Sequence, residues 1–310
     1  MSQDPSTDFE WTIHSLNIHG LFFQEWCASI VQHSNRWDLV TTEYPVEYPP
    51  PNGLIRGKES KLDIRAHLKH QNGIFTILIE CKKNNPEFVD WVFFATSSGP
   101  NHGLIHLNYI ANEVKSNGRW APASSIRPAL EEDLVLGEAR ETRGTYSKVP
   151  DNKKTKTSNA AINDAAYQIT IASQAIANEE NMFMNKLSSD PQESPPWDTQ
   201  LFLPIVVTSA KLYVCEFDPA SVSPHTGELQ FCDATLREVP KLFFEYSIPK
   251  HLQQQPTYLR EVVKSKRIEM FVRKQIMIIH SGCFSDALEE LAKDVAIPLI
   301  ERGCPTSAST

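Results

Sequence analysis

The sequence has few cysteines and arranges none of them as a metal or redox motif would require. The six, at positions 27, 81, 215, 232, 283 and 304, form no Cys-x-x-Cys pair and have no histidine at zinc-finger spacing, so they read as reduced core residues. Any apolar run near the ~20 residues of a membrane span is lacking too. The first ten residues carry acids where a secretory or mitochondrial leader needs bases, and the expectation is a cytoplasmic protein without a membrane anchor. There is no internal repeat and no heptad array. A basic excess is also missing, since 30 Lys and Arg face 38 Asp and Glu for a net charge of −8. That excludes a molecule coated in basic surface and confines any nucleic-acid contact to a local patch.

What is present suits a globular chain: 310 residues, 41% of them hydrophobic, enough for a substantial core. Near-helical spacing of Leu16, Leu21, Phe22, Phe23, Trp26, Ile30 and Val31 predicts a helix over 16–31. A strand over 37–46 follows, stopped by Tyr48-Pro49-Pro50-Pro51-Asn52-Gly53. The segment 61–83 reads as a hairpin. Beyond the apolar run 89–94, weak periodicity predicts an irregular insertion with short elements at about 95–158. An Ala-rich helix is expected over 159–187, then a hairpin of strands 201–207 and 211–217, a strand at 275–280 and a helix at 285–295. The fold class is therefore α/β, a mixed sheet covered by helices on both sides. We expect a single domain over 1–303 with a frayed tail at 304–310.

The 61–83 segment carries the chemistry. Strand side chains alternate faces, so Leu62, Ile64, Ala66 and Leu68 point opposite to Lys61, Asp63, Arg65, His67 and Lys69. On the second strand Phe75, Ile77, Ile79 and Cys81 share a face opposite Thr76, Leu78, Glu80 and Lys82. Asn72-Gly73 is a strong hairpin signal. A two-residue Asn72-Gly73 turn sets Asp63 opposite Lys82, and a four-residue loop sets it opposite Glu80. Both registers merge the apolar sets on one side and gather Asp63, Arg65, Glu80 and Lys82 on the other. Leu78 and Ile74 on that polar face imply that something covers it.

Two carboxylates and an ammonium on neighbouring strands suit phosphodiester hydrolysis. Asp63 and Glu80 can bind a hard divalent ion, Mg²⁺ or alternatively Mn²⁺, through oxygen ligands, and Lys82 can position the nucleophile or steady phosphate charge. The triplet acid-x-Lys alone is uninformative, because it recurs at Glu59-Ser60-Lys61, Glu113-Val114-Lys115 and Asp151-Asn152-Lys153. Glu80-Cys81-Lys82 is distinguished by ending an apolar strand that faces an aspartate.

Lys61-Leu62-Asp63-Ile64-Arg65-Ala66 followed by Ile77-Leu78-Ile79-Glu80-Cys81-Lys82-Lys83 resembles the bipartite motif of the PD-(D/E)xK superfamily, the restriction-endonuclease-like nucleases. The resemblance implies a restriction-endonuclease-like α/β/α fold whose second and third strands carry Asp63 and Glu80-x-Lys82, and an order of elements that this chain matches over most of its length. It departs from the motif in having Leu62 where the family's Pro stands, and in the length of its insertion. The resemblance further implies an acid on the first helix as a third ligand, for which Glu25 is the matching position, and a polar residue on the later helix reaching the site, for which Gln168 is the match.

A DNA substrate needs cations. From Gly137 to Thr157 six of them, including Arg140, Arg143, Lys153, Lys154 and Lys156, face three anions, making this the expected backbone-contact segment together with Arg65 on the site strand. The expectation is thus a Mg²⁺-dependent DNA endonuclease, with defence or restriction as the role that the resemblance suggests; RNA in place of DNA is a third reading, which only the family analogy disfavours. A homodimer is the symmetric arrangement for double-strand cleavage. The competing expectation is a catalytically inactive nuclease-like module in nucleic-acid binding or assembly, its motif residues forming an ion-pair cluster.

Overall fold

The computed structural model describes residues 10, 12–13, 15–17, 20–47, 59–71, 73–84, 89–94, 104–112, 120–128, 135–142, 160–188, 199–229, 233–249 and 273–301. In chain order these give α1 (Leu21–Gln32), β1 (Asp38–Glu47), β2 (Glu59–His70), β3 (Gly73–Lys82), β4 (Asp90–Phe94), β5 (Leu104–Asn112), β6 (Trp120–Pro128), β7 (Val135–Leu136) and β8 (Glu138–Thr142). The second half supplies α2 (Ala160–Ser188), β9 (Thr199–Thr208), β10 (Lys211–Phe217), β11 (Ala234–Val239), β12 (Lys241–Ser247), β13 (Arg273–His280) and α3 (Phe284–Glu290). A π-helical segment, Leu291–Ala296, then leads into α4 (Ile297–Glu301).

The main sheet has nine strands in the order β1-β2-β3-β9-β13-β12-β7, with β5 paired to β9 and β6 to β5. It is mixed: β3 runs parallel to β9 and β9 to β13, while β1, β2 and β3 form an antiparallel meander. Central strands covered on both faces must be apolar on both, and β3 is buried from Gly73 to Glu80. One face packs Ile64, Ala66, Phe75, Ile77, Ile79, Leu203 and Ile205 against Cys27 and Val31 of α1 and Phe284, Leu288 and Leu291 of the C-terminal helices. The other packs Leu78, Phe202, Val206 and Ile278 against Ile162, Ala165, Ile169, Ala172 and Ile176 of α2. This is the expected mixed sheet between helical layers.

Several expectations change. The first helix starts at Leu21, because Gly20 adopts φ 76 just before it, a left-handed conformation that ends the helical residues 15–17. The short elements expected in the insertion are strands, β5 to β8. The runs 201–207 and 211–217 are strands but not a hairpin. Their connection, Thr208-Ser209-Ala210, sends β10 into a separate four-stranded sheet, β11-β10-β4-β8, where it runs parallel to β4. Trp91, Phe93, Leu212 and Val214 of that second sheet share the core beneath α2.

The β2–β3 register pairs Lys69 with Ile74 and His70 with Gly73, the alternative that sets Asp63 toward Glu80. The chain therefore leaves the ladder after His70, with Gln71 at φ 47, and Gly73, already paired in the ladder, serves another purpose. A Cβ there would lie 2.6 Å from Cγ2 of Ile300 in α4. The missing side chain admits the C-terminal helix against the end of β3. Gly73→Ala should cost about 1–3 kcal/mol of stability through this overpacking, measured by chemical denaturation; an unchanged midpoint would refute the close contact.

Candidate active site

β2 and β3 bring the motif residues together at the point where their ladder ends. The last regular pair is Ile64 with Ile79. One residue further, Asp63 places its side chain in the ladder, and its Oδ2 accepts a 2.7 Å hydrogen bond from the Cys81 backbone N–H. The departure from regular alternation shows in Leu62, which belongs to the core on the α2 side with Leu78, whereas Ile64, Ala66 and Leu68 lie on the other side. In the edge strand β1, Glu43 has φ 50 between the pairs Thr42 with Ile64 and Tyr44 with Leu62. A non-glycine residue there marks local strain beside the site.

Glu80 is only 4% exposed. Its Oε1 receives Lys82 Nζ at 2.8 Å, and its Oε2 is buried without a hydrogen-bond partner. Burial first, and the nearby Asp63 carboxylate second, push its pKa up to about 7 against the pull of Lys82. Asp63 is also raised, chiefly by burial, with the Cys81 N–H and then Lys82 opposing. Two carboxylates that resist ionising together need a cation to stabilise both charges. Lys82 supplies part of it and is itself anchored from α2, donating to Gln168 Oε1 at 2.6 Å.

The structure thus gathers Asp63, Glu80, Lys82 and Gln168. It leaves Glu25 on an exposed flank of α1. The adjacent Gln24 turns inward, its Nε2 buried without a partner. Glu25 was the position that the family resemblance implied. Arg65, expected at phosphate, is buried, its guanidinium paired with Glu180 of α2. Arg140 on β8 is partly exposed and bound to Glu138 at 3.4 Å. Arg143, Lys153, Lys154 and Lys156 lie outside the described residues.

Among the described residues, no three His, Cys, Asp or Glu side chains gather as a metal-binding group. The carboxylate pair nevertheless fits a hard divalent ion, because Glu80 presents a buried oxygen lacking a donor beside a second carboxylate. The polar contacts missed from the sequence are those around Arg65. Its Nε donates to His67 Nε2 at 3.2 Å, and its guanidinium lies 5.8 Å from the Tyr44 ring centroid. Tyr44 in turn donates to Glu179 at 2.8 Å. Arg65 sharing a face with Asp63 was the available signal. Its partner is far away in sequence.

Burial of His67, with help from Arg65 and Lys69, lowers its pKa to about 4, so it is the neutral acceptor that Arg65 requires. Glu80 shifts the other way. A carboxyl whose proton is held more tightly in the folded state stabilises that state below its unfolded pKa and loses the contribution as pH rises through the folded one. In chelator, wild-type stability should therefore fall relative to Glu80→Gln as pH rises from about 4.5 to about 7. Denaturation midpoints of the two proteins measure this, and His67, common to both, cancels. Parallel curves would reject the buried carboxyl.

No family model, curated protein or solved structure matches this chain, so the site's own geometry carries the functional reading.

Proposed function

We propose that the chain is a metal-dependent nuclease with a restriction-endonuclease-like fold, hydrolysing phosphodiester bonds in DNA. The observation that carries the reading is the Glu80 carboxylate. It is buried beside Asp63, with one oxygen on Lys82 and the other without a hydrogen-bond partner. Burying an unsatisfied carboxylate is costly, and a cation-binding role gives that cost a purpose. Asp63 and Glu80 are the residues that would hold Mg²⁺ or Mn²⁺. When bound, the ion supplies Lewis-acid stabilisation of phosphate charge and a water of lowered pKa.

The chain's own residues do the rest. The Cys81 N–H fixes the Asp63 carboxylate. Lys82, with 24% of its side chain exposed, can reach substrate and offers an ammonium to the developing phosphate charge. Gln168 uses an acceptor oxygen, so it orients Lys82 without competing for its positive charge. The sheet and α2 exclude water from the Glu80 side, which strengthens each of these interactions.

The second reading, an inactive module, draws on the closed Glu80–Lys82 pair at 2.8 Å, which is what a structural ion pair would also show. Metal titration separates the two. A nuclease site should be stabilised by divalent ions, with the shift in thermal midpoint lost in both Asp63→Ala and Glu80→Gln.

Purified protein should cleave plasmid or linear DNA with Mg²⁺ or Mn²⁺, and Asp63→Ala or Lys82→Ala should lower the rate by at least about a hundredfold. Single-stranded DNA and RNA in parallel assign the substrate class. Activity equal to wild type in both variants would overturn the proposal.

A further inference from the structure

We infer that Arg65 is a positioning residue for this site, acting through α2 on Gln168 and so on Lys82. The kinetic part of this inference rests on the nuclease reading. Arg65 is 7% exposed and links three elements. It is paired with Glu180 on α2, donates to His67 on β2, and lies against the ring of Tyr44 on β1. Tyr44 adds a second tie from β1 to α2 through Glu179.

The tie matters because of what else these elements carry. Arg65 stands two residues beyond Asp63 on the same strand. Glu180 stands twelve residues beyond Gln168 on the same helix, about 18 Å along its axis. α2 therefore touches the site strands at two separated places, Gln168 on Lys82 and Glu180 on Arg65. Between them its sheet-facing side is mostly alanine and isoleucine, with Ile169, Ala172, Ala175 and Ile176 buried in the core. Such a surface supplies apolar attraction without direction. The direction along the helix axis comes from the polar contacts, and a small slide of α2 would move Gln168 off the ammonium.

A planar guanidinium is suited to this role, because it presents donors in a fixed fork and stays charged. His67, held neutral by burial, can accept one of those donors. The cluster around Arg65 also comprises Glu179, Glu180 and the Tyr44 hydroxyl. Arg65 is thereby committed to the fold rather than to a phosphate.

The test combines Arg65→Met and Glu180→Gln, singly and together, with each also placed in a Gln168→Ala background. Three readouts are taken: kcat, KM for DNA, and the Lys82 side-chain NMR resonance without metal or DNA. Lys69→Ala, which removes an exposed 3.5 Å pair with Asp38 on the same strand, is the control and should match wild type. Arg65→Met and Glu180→Gln should each lower kcat by about ten- to a hundredfold with KM little changed. They should shift the Lys82 resonance, and they should add nothing to Gln168→Ala. Losses that multiply with Gln168→Ala, or a Lys82 resonance left at its wild-type position, would overturn the inference. If wild-type protein cleaves nothing, the nuclease reading falls, and the Lys82 resonance alone decides the positioning of α2.

Discussion

The site depends on one electrostatic compromise, the burial of the Glu80 carboxylate beside Asp63 with a single ammonium between the strands and α2. The group is held from more than one element. Asp63 is fixed by the backbone of Cys81, and Lys82 by the side chain of Gln168. The sheet must end its regular ladder at Ile64 and Ile79 for this to occur. The positive φ of Glu43 and the displacement of Leu62 to the α2 side accompany that interruption.

α2 is the second constraint. Buried charged groups tie it near both ends, where Glu141 of β8 is 3% exposed and accepts from the Ala161 N–H, and Arg65 of β2 engages Glu180. Glu141 comes from the strand that follows the insertion's other strands, and it bonds to one of the N–H groups left unpaired at a helix start. The long segment between the Glu-x-Lys strand and α2 thus contributes a strand that fixes where α2 begins. Gln168 falls between these two anchors.

Legibility in the sequence followed the range of the interactions. The β2–β3 hairpin was readable because its alternation and turn are local, and parity put Asp63 on the side of Glu80 and Lys82, although the alternation itself breaks at Leu62. The sequence left two turn registers open, and the one adopted, with Lys69 opposite Ile74, sets Gly73 against Ile300, a contact far along the chain that no local signal shows. The supposed hairpin of 201–217 failed for a related reason. Two adjacent apolar runs do not reveal that β10 pairs with β4 and β11 rather than with β9. Gln168 was reached only through family resemblance, and the Arg65–Glu180 tie joins positions no periodicity connects. Glu25 likewise came from the resemblance, and helical phase turns Gln24 inward while Glu25 stays exposed.

The parallel pairing of β3 with β9 along its whole length, from Gly73 with Thr199 to Lys82 with Thr208, has a consequence for how the chain is made. Until β9 leaves the ribosome, β3 is an apolar strand with one unsatisfied hydrogen-bonding edge, the kind of edge that recruits other strands. During that interval the nascent chain carries the Glu80-Cys81-Lys82 end of β3 on an exposed, aggregation-prone strand. Its yield in cells should therefore respond to translation speed and chaperone supply more strongly than its finished stability would suggest.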